Sequence, residues 1–192
     1  MKSVKKYYIS IIFLSLCSLA SHQVATAQSA LSPQDKKTMT EFEKSAKEYS
    51  KLREQLEEKL PKLPKDATPE QIEAHKTAFQ KSVQAARSGA QPGNIFTPAA
   101  AKLIRTIIKS EYKGKDRVEL RETVLEADTK GIPLKINFPY PDSKEQTEMP
   151  PTLLLSFPQL PKQLRFRFVG RSLLLIDREN GLIVDYMTNA LP

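Results

Sequence analysis

Residues 164–187 read LRFRFVGRSLLLIDRENGLIVDYM, and no other stretch restricts the fold of this chain as firmly. Leu164, Phe166 and Phe168 alternate with Arg165 and Arg167, the period-two pattern of a strand with one buried face. Gly170 supplies a turn, and Ser172 to Asp177 reads as an apolar strand. Asn180-Gly181 then predicts a tight hairpin, because both residue types tolerate the positive φ that such turns need. Leu182 to Met187 is the returning strand. The expectation is a three-stranded meander with a core face and a wet face.

Upstream, GIPLKINFPYP has the same period. Ile132, Leu134, Ile136, Phe138 and Tyr140 alternate with Pro133, Lys135, Asn137 and Pro139. Proline donates nothing to a ladder, so this segment is expected at a sheet edge. PDSKEQTEMPP reads as a polar loop, and TLLLSFPQLP fits a short strand or a turn of helix equally well.

Before Gly131 the spacing is helical. Ser32, Thr68 and Thr97 each stand before a proline, which places a hydroxyl at an N-cap and proline at the first helical position. Met39, Phe42, Ala46, Tyr49, Leu52, Leu56 and Leu60 recur at intervals of three and four, one stripe on an amphipathic helix over 33–60. Pro61 and Pro64 break it. A second helix is expected from Pro69 to Ser88, a third from Pro98 to Tyr112, and a fourth from Asp116 to Ala127. Helices followed by strands give an α+β fold, about four helices and an antiparallel meander of three to four strands. The divisions expected are 1–27, 28–66, 67–130 and 131–192.

The N-terminus orders Lys2, Lys5 and Lys6, an apolar run from Tyr7 to Leu19, and small residues at Ala25 and Ala27. That order is a secretory signal peptide, and the run is short of the ~20 residues a membrane-spanning helix requires. Export to a periplasm or the extracellular medium is expected, with cleavage near Ala27 and no permanent membrane anchor. Loss of 27 of the 192 residues leaves 165, without Cys17. Such a chain makes no disulfide and offers no thiolate nucleophile. Three lysines and no acids leave as well, so the net charge of +8 becomes +5. The remaining charge is spread evenly along the sequence, which argues against nucleic acid as a partner.

No convergent catalytic set stands out. Asp177-Arg178-Glu179-Asn180-Gly181 falls short of a calcium loop, whose glycine belongs at position 6 and whose glutamate belongs at position 12. His75 has Gln71, Ile72, Ala78 and Phe79 at helical spacing and reads as a half-buried structural histidine. Asp177 and Asp185 sit near strand ends and read as solvated. Arg165, Arg167 and Arg171 form the candidate patch for an anionic ligand, with Phe166 and Phe168 on the opposite face of the strand. No catalytic, metal-binding or cofactor-binding residue is assigned, and no cofactor is expected.

The segment LPKQLRFRFVGRSLLLIDRENGLIVDYM resembles the C-terminal β-segment of small exported bacterial proteins of the RcnB and CigR type. The resemblance implies export and a β-meander. RcnB-type proteins are linked to nickel and cobalt homeostasis, but the His-rich or acidic features suited to metal traffic are missing here. The expectation is an exported, non-enzymatic binding or interaction protein of a bacterial envelope. The stripe of helix 33–60 is expected to dock on the chain's own second helix in preference to a coiled-coil seam with a second copy, and the same helix is the surface expected to take an envelope protein. The alternatives are a carboxylate- or hydroxyl-based hydrolase and an accessory of envelope metal homeostasis.

Overall fold

A computed structural model describes residues 31–111, 133–141, 143, 144 and 146–191, with Val118 and Glu122. The expected signal peptide and nearly all of the expected fourth helix, Asp116 to Ala127, lie outside the described residues. Three helices begin where the Ser/Thr-Pro pairs place them: α1 (Pro33–Glu57), α2 (Pro69–Ala86) and α3 (Pro98–Glu111). The Ser32 hydroxyl accepts from the Asp35 amide at 3.1 Å. Thr68 and Gln71 complete a reciprocal capping box at the start of α2. Thr97 accepts from the Ala100 amide at 3.3 Å.

The sheet follows, with β1 (Thr147–Glu148), a short helix α4 (Pro151–Leu155), β2 (Leu164–Val169), β3 (Ser172–Asp177) and β4 (Ile183–Met187). All pairings are antiparallel, in the order β1-β2-β3-β4. The fold is therefore α+β, helices first and strands at the C-terminus. The ambiguous TLLLSFPQLP segment resolves as helix, because Pro151 opens a turn in which the Leu153 and Leu154 amides bond to the Pro150 carbonyl.

The main core joins the helices to one face of the sheet. Phe42, Ala46 and Tyr49 of α1 are buried with Phe79 and Val83 of α2, Ile104 and Ile108 of α3, and Leu164, Phe166 and Phe168 of β2. Phe166 meets Phe42, Phe96 and Phe157 with ring centroids 6.0, 6.3 and 5.1 Å away. The apolar stripe of α1 is thus taken up by the protein's own core. Its outer face carries the weak surface pairs Lys37–Glu41 and Lys44–Glu48.

Three expectations need correction. The sheet has no wet face along β3: every residue from Leu173 to Asp177 is buried. The second face holds its own cluster of Ile136, Tyr140, Val169, Leu174, Ile176 and Ile183. The segment covering it is not a strand. Asn137 adopts a φ of 63°, which breaks the alternation, so Ile136 and Tyr140 turn inward while Phe138 stays exposed. The chain still follows the edge of β4, through Asn137 N–H to Ile183 O at 2.8 Å and Tyr140 N–H to Gly181 O at 3.0 Å. Last, the β3–β4 turn is not an Asn-Gly pair of positive φ. Asp177 N–H bonds to Leu182 O at 3.0 Å, which closes a four-residue loop, and within it Gly181 alone has positive φ, 67°.

Candidate functional site

Asp177 ends β3, and its side chain is fully buried. One carboxylate oxygen accepts from the Tyr49 hydroxyl at 3.1 Å and the Arg53 Nε at 3.0 Å. The other accepts from the Glu179 and Asn180 amides at 3.1 and 3.3 Å, which shapes the turn. Arg53 also pairs with Glu57 at 2.6 Å and with Glu179, and lies 5.3 Å from the Phe79 ring centroid. Burial acts to lower the Arg53 pKa, but the charges of Asp177, Glu179 and Glu57 hold it above the ordinary arginine value. Burial raises the Tyr49 pKa well above its usual value, and Asp177 adds to that.

Asp185 is likewise fully buried. It lies at a β-bulge: Leu175 pairs with Asp185 but Ile176 pairs with Ile183, so Val184 is an extra residue on β4. The shift moves Ile183 to the second face, while Asp185 stays on the face of Leu175 and Met187 and accepts four backbone amides. These come from Gly93 (2.8 Å), Ile95 (2.6 Å), Phe96 (2.8 Å) and Tyr186 (2.8 Å). Both acids that read as solvated are therefore interior fasteners whose oxygens are already engaged.

The arginines are arranged differently. A cleft of about 360 Å³ opens at the edge of β2 that the two-residue β1 covers only at Arg167 and Phe168. Arg165, Arg167 and Arg178 line it. Arg178 Nε donates to Leu164 O at 3.0 Å and Arg167 Nη1 to Phe166 O at 3.0 Å, so side chains cap the carbonyls of this edge. Arg167 Nη2 also meets Glu148 at 2.7 Å. Burial lowers the Arg167 pKa, the charges of Arg165 and Arg178 lower it further, and Glu148 opposes them. The Arg165 Nε–H is buried and finds no acceptor among the described residues. Met149, Leu154, Pro158 and Leu160 complete the wall. Three guanidinium groups on a partly dry wall can hold a carboxylate or phosphate through paired hydrogen bonds.

Of the expected patch, Arg165 and Arg167 are brought together and Arg171 is not. Arg171 sits at the β2–β3 turn, exposed, donating to Leu191 O at 3.2 Å. Arg178 takes its place. Phe166 and Phe168 are buried in the main core, and Phe166 also borders the cleft. His75 is half-buried on α2. Among the described residues, no group of three or more His, Cys, Asp or Glu side chains is placed to hold a metal ion, and no helix is long and apolar enough to cross a membrane.

Comparison with known proteins finds no matching family model, no significantly similar curated protein and no significantly similar solved structure.

Proposed function

We propose that this protein is an exported, non-enzymatic binding module whose ligand is an anion held by Arg165, Arg167 and Arg178. The observation that carries the reading is the buried Arg165 Nε–H without an acceptor among the described residues, beside two further guanidinium groups. A buried donor left unpaired costs about 1–3 kcal/mol, a cost that an anion in the cleft removes once the Arg165 side chain turns its Nε–H toward it. Glu148 is the acid facing these arginines across the cleft, and its side chain is 81% exposed, so the local charge is far from balanced. Export is supported by the Lys2–Lys6 head, the apolar run and the Ala25-x-Ala27 site.

The test is calorimetric titration of residues 28–192 with sodium phosphate and sodium acetate at low ionic strength. We expect saturable binding that weakens at least about tenfold in R165M and R178M, the loss of one charge-assisted contact, and stays unchanged in R171M. Equal responses from wild type, R165M and R178M would refute the reading.

A further inference from the structure

We propose that the occupant of this cleft is an anionic amphiphile, whose head displaces the Glu148 carboxylate from Arg167 and whose apolar body lies along Leu154 and Leu160. This rests on the anion-binding reading above. Glu148 already shows where an acceptor sits on Arg167, at 2.7 Å. Its side chain is largely in water, so the pair is weak and readily exchanged for a better-fitting acceptor. Glu148 belongs to the two-residue strand β1 and moves without disturbing a long ladder.

Apart from Gln159, the rest of the wall is apolar. Met149, Pro158 and Leu160 line the cleft beside Leu154, which is 44% exposed, and its neighbour Leu155 is 79% exposed. A leucine left half in water, Leu154, beside a row of guanidinium groups matches a ligand with a charged end and a hydrocarbon end. The cleft volume of about 360 Å³ falls within the range of small-molecule sites and greatly exceeds what a bare phosphate fills. Two sources offer this chemistry: a free alkyl carboxylate or phosphate, and the headgroup of a lipid still in its bilayer. The volume favours the free molecule, since about 360 Å³ has room for part of the chain as well as the head.

The experiment compares acetate, octanoate, inorganic phosphate, octyl phosphate and octanol by titration calorimetry on residues 28–192, with phosphatidylglycerol vesicles assayed by co-sedimentation. Octanoate and octyl phosphate should bind at least tenfold more tightly than acetate and phosphate, since each methylene buried is worth about fourfold. Octanol should not bind. L154S should weaken octanoate while leaving phosphate unchanged, and E148Q should tighten octanoate because its competitor is gone. If octanoate binds no better than acetate, the amphiphile is wrong and the anion site stands. If none of the four anions binds, both fall. Vesicle binding without octanoate binding assigns the cleft to a bilayer surface and overturns the proposal, as does weaker octanoate binding in E148Q.

Discussion

The Tyr49 hydroxyl donates to Asp177 from inside the core, where a phenolate would lose its hydration and face a carboxylate 3.1 Å away. Burial first, and then the charge and hydrogen bond of Asp177, raise the Tyr49 pKa well above its ordinary value. A group whose folded pKa exceeds its unfolded pKa, about 10 for tyrosine, contributes stability in full below pH ~10 and loses it as pH rises through the folded pKa. Urea unfolding of wild type should therefore weaken steeply above pH ~10. Y49F should cost about 1 kcal/mol at pH 7 and then decline less steeply, so the two curves converge in alkali. Parallel curves would show that Tyr49 does not carry the dependence. None of this was legible from residue order, because the Tyr49–Asp177 bond spans 128 positions. Arg178 was within reach. Arg165 pairs with Ile176 and Arg167 with Leu174, so residues 174, 176 and 178 share the face of the two arginines. Arg171, in the turn, does not. Extending the hairpin register through Asp177 would have exchanged one arginine for the other.

Between elements, the clearest dependence is that of the 93–96 loop on β4. Three of its amides end on Asp185, and two of them, those of Ile95 and Phe96, belong to buried residues. D185A should strand those donors and destabilise by about 2–4 kcal/mol, read as a lower urea midpoint with an unchanged slope. D185N, which keeps one side-chain oxygen but loses the charge, should fall between D185A and wild type. The helix starts were legible because the caps are side-chain chemistry, a hydroxyl before a proline. The register of β4 was not. Strict alternation groups Ile183, Asp185 and Met187 on one face, and the bulge at Val184 breaks that grouping. Residues 133–140 failed similarly: their alternation was real, but Asn137 enters the left-handed region and lends its side chain to α2, accepting from Arg87 at 2.6 Å and donating to the Arg87 carbonyl at 2.9 Å. Backbone irregularities of one residue leave no mark on hydrophobic period.

Across residues 31–192, which cluster as one compact unit, α1 is not an appendage. Phe42 packs its ring 5.2 Å from Phe96 and 6.0 Å from Phe166, Ala46 is fully buried, and Tyr49 and Arg53 reach the β3–β4 turn through Asp177. Glu43 and Ser50 extend the attachment, to the Gln159 amide and the Gln163 side chain. The sequence showed the amphipathic stripe but not its partner, since a face that serves a second protein and one that serves the chain's own sheet have the same period. Residues 61–192 alone would expose Phe79, Phe96 and Phe166 and leave the buried Asp177 without two donors. Losing a buried phenylalanine costs about 3–5 kcal/mol, so removing a whole packed helix exceeds the 5–15 kcal/mol that stabilises a typical domain. The 61–192 fragment should lack near-UV circular dichroism and bind anilinonaphthalene sulfonate, whereas 31–192 should lose near- and far-UV signals in one coincident transition. A fragment that keeps a cooperative transition would return α1 to the alternative role its stripe allows, a face held out for another molecule. Coincident transitions in 31–192 and collapse in 61–192 instead commit α1 to the core, and the arginine cleft stays the proposed ligand surface.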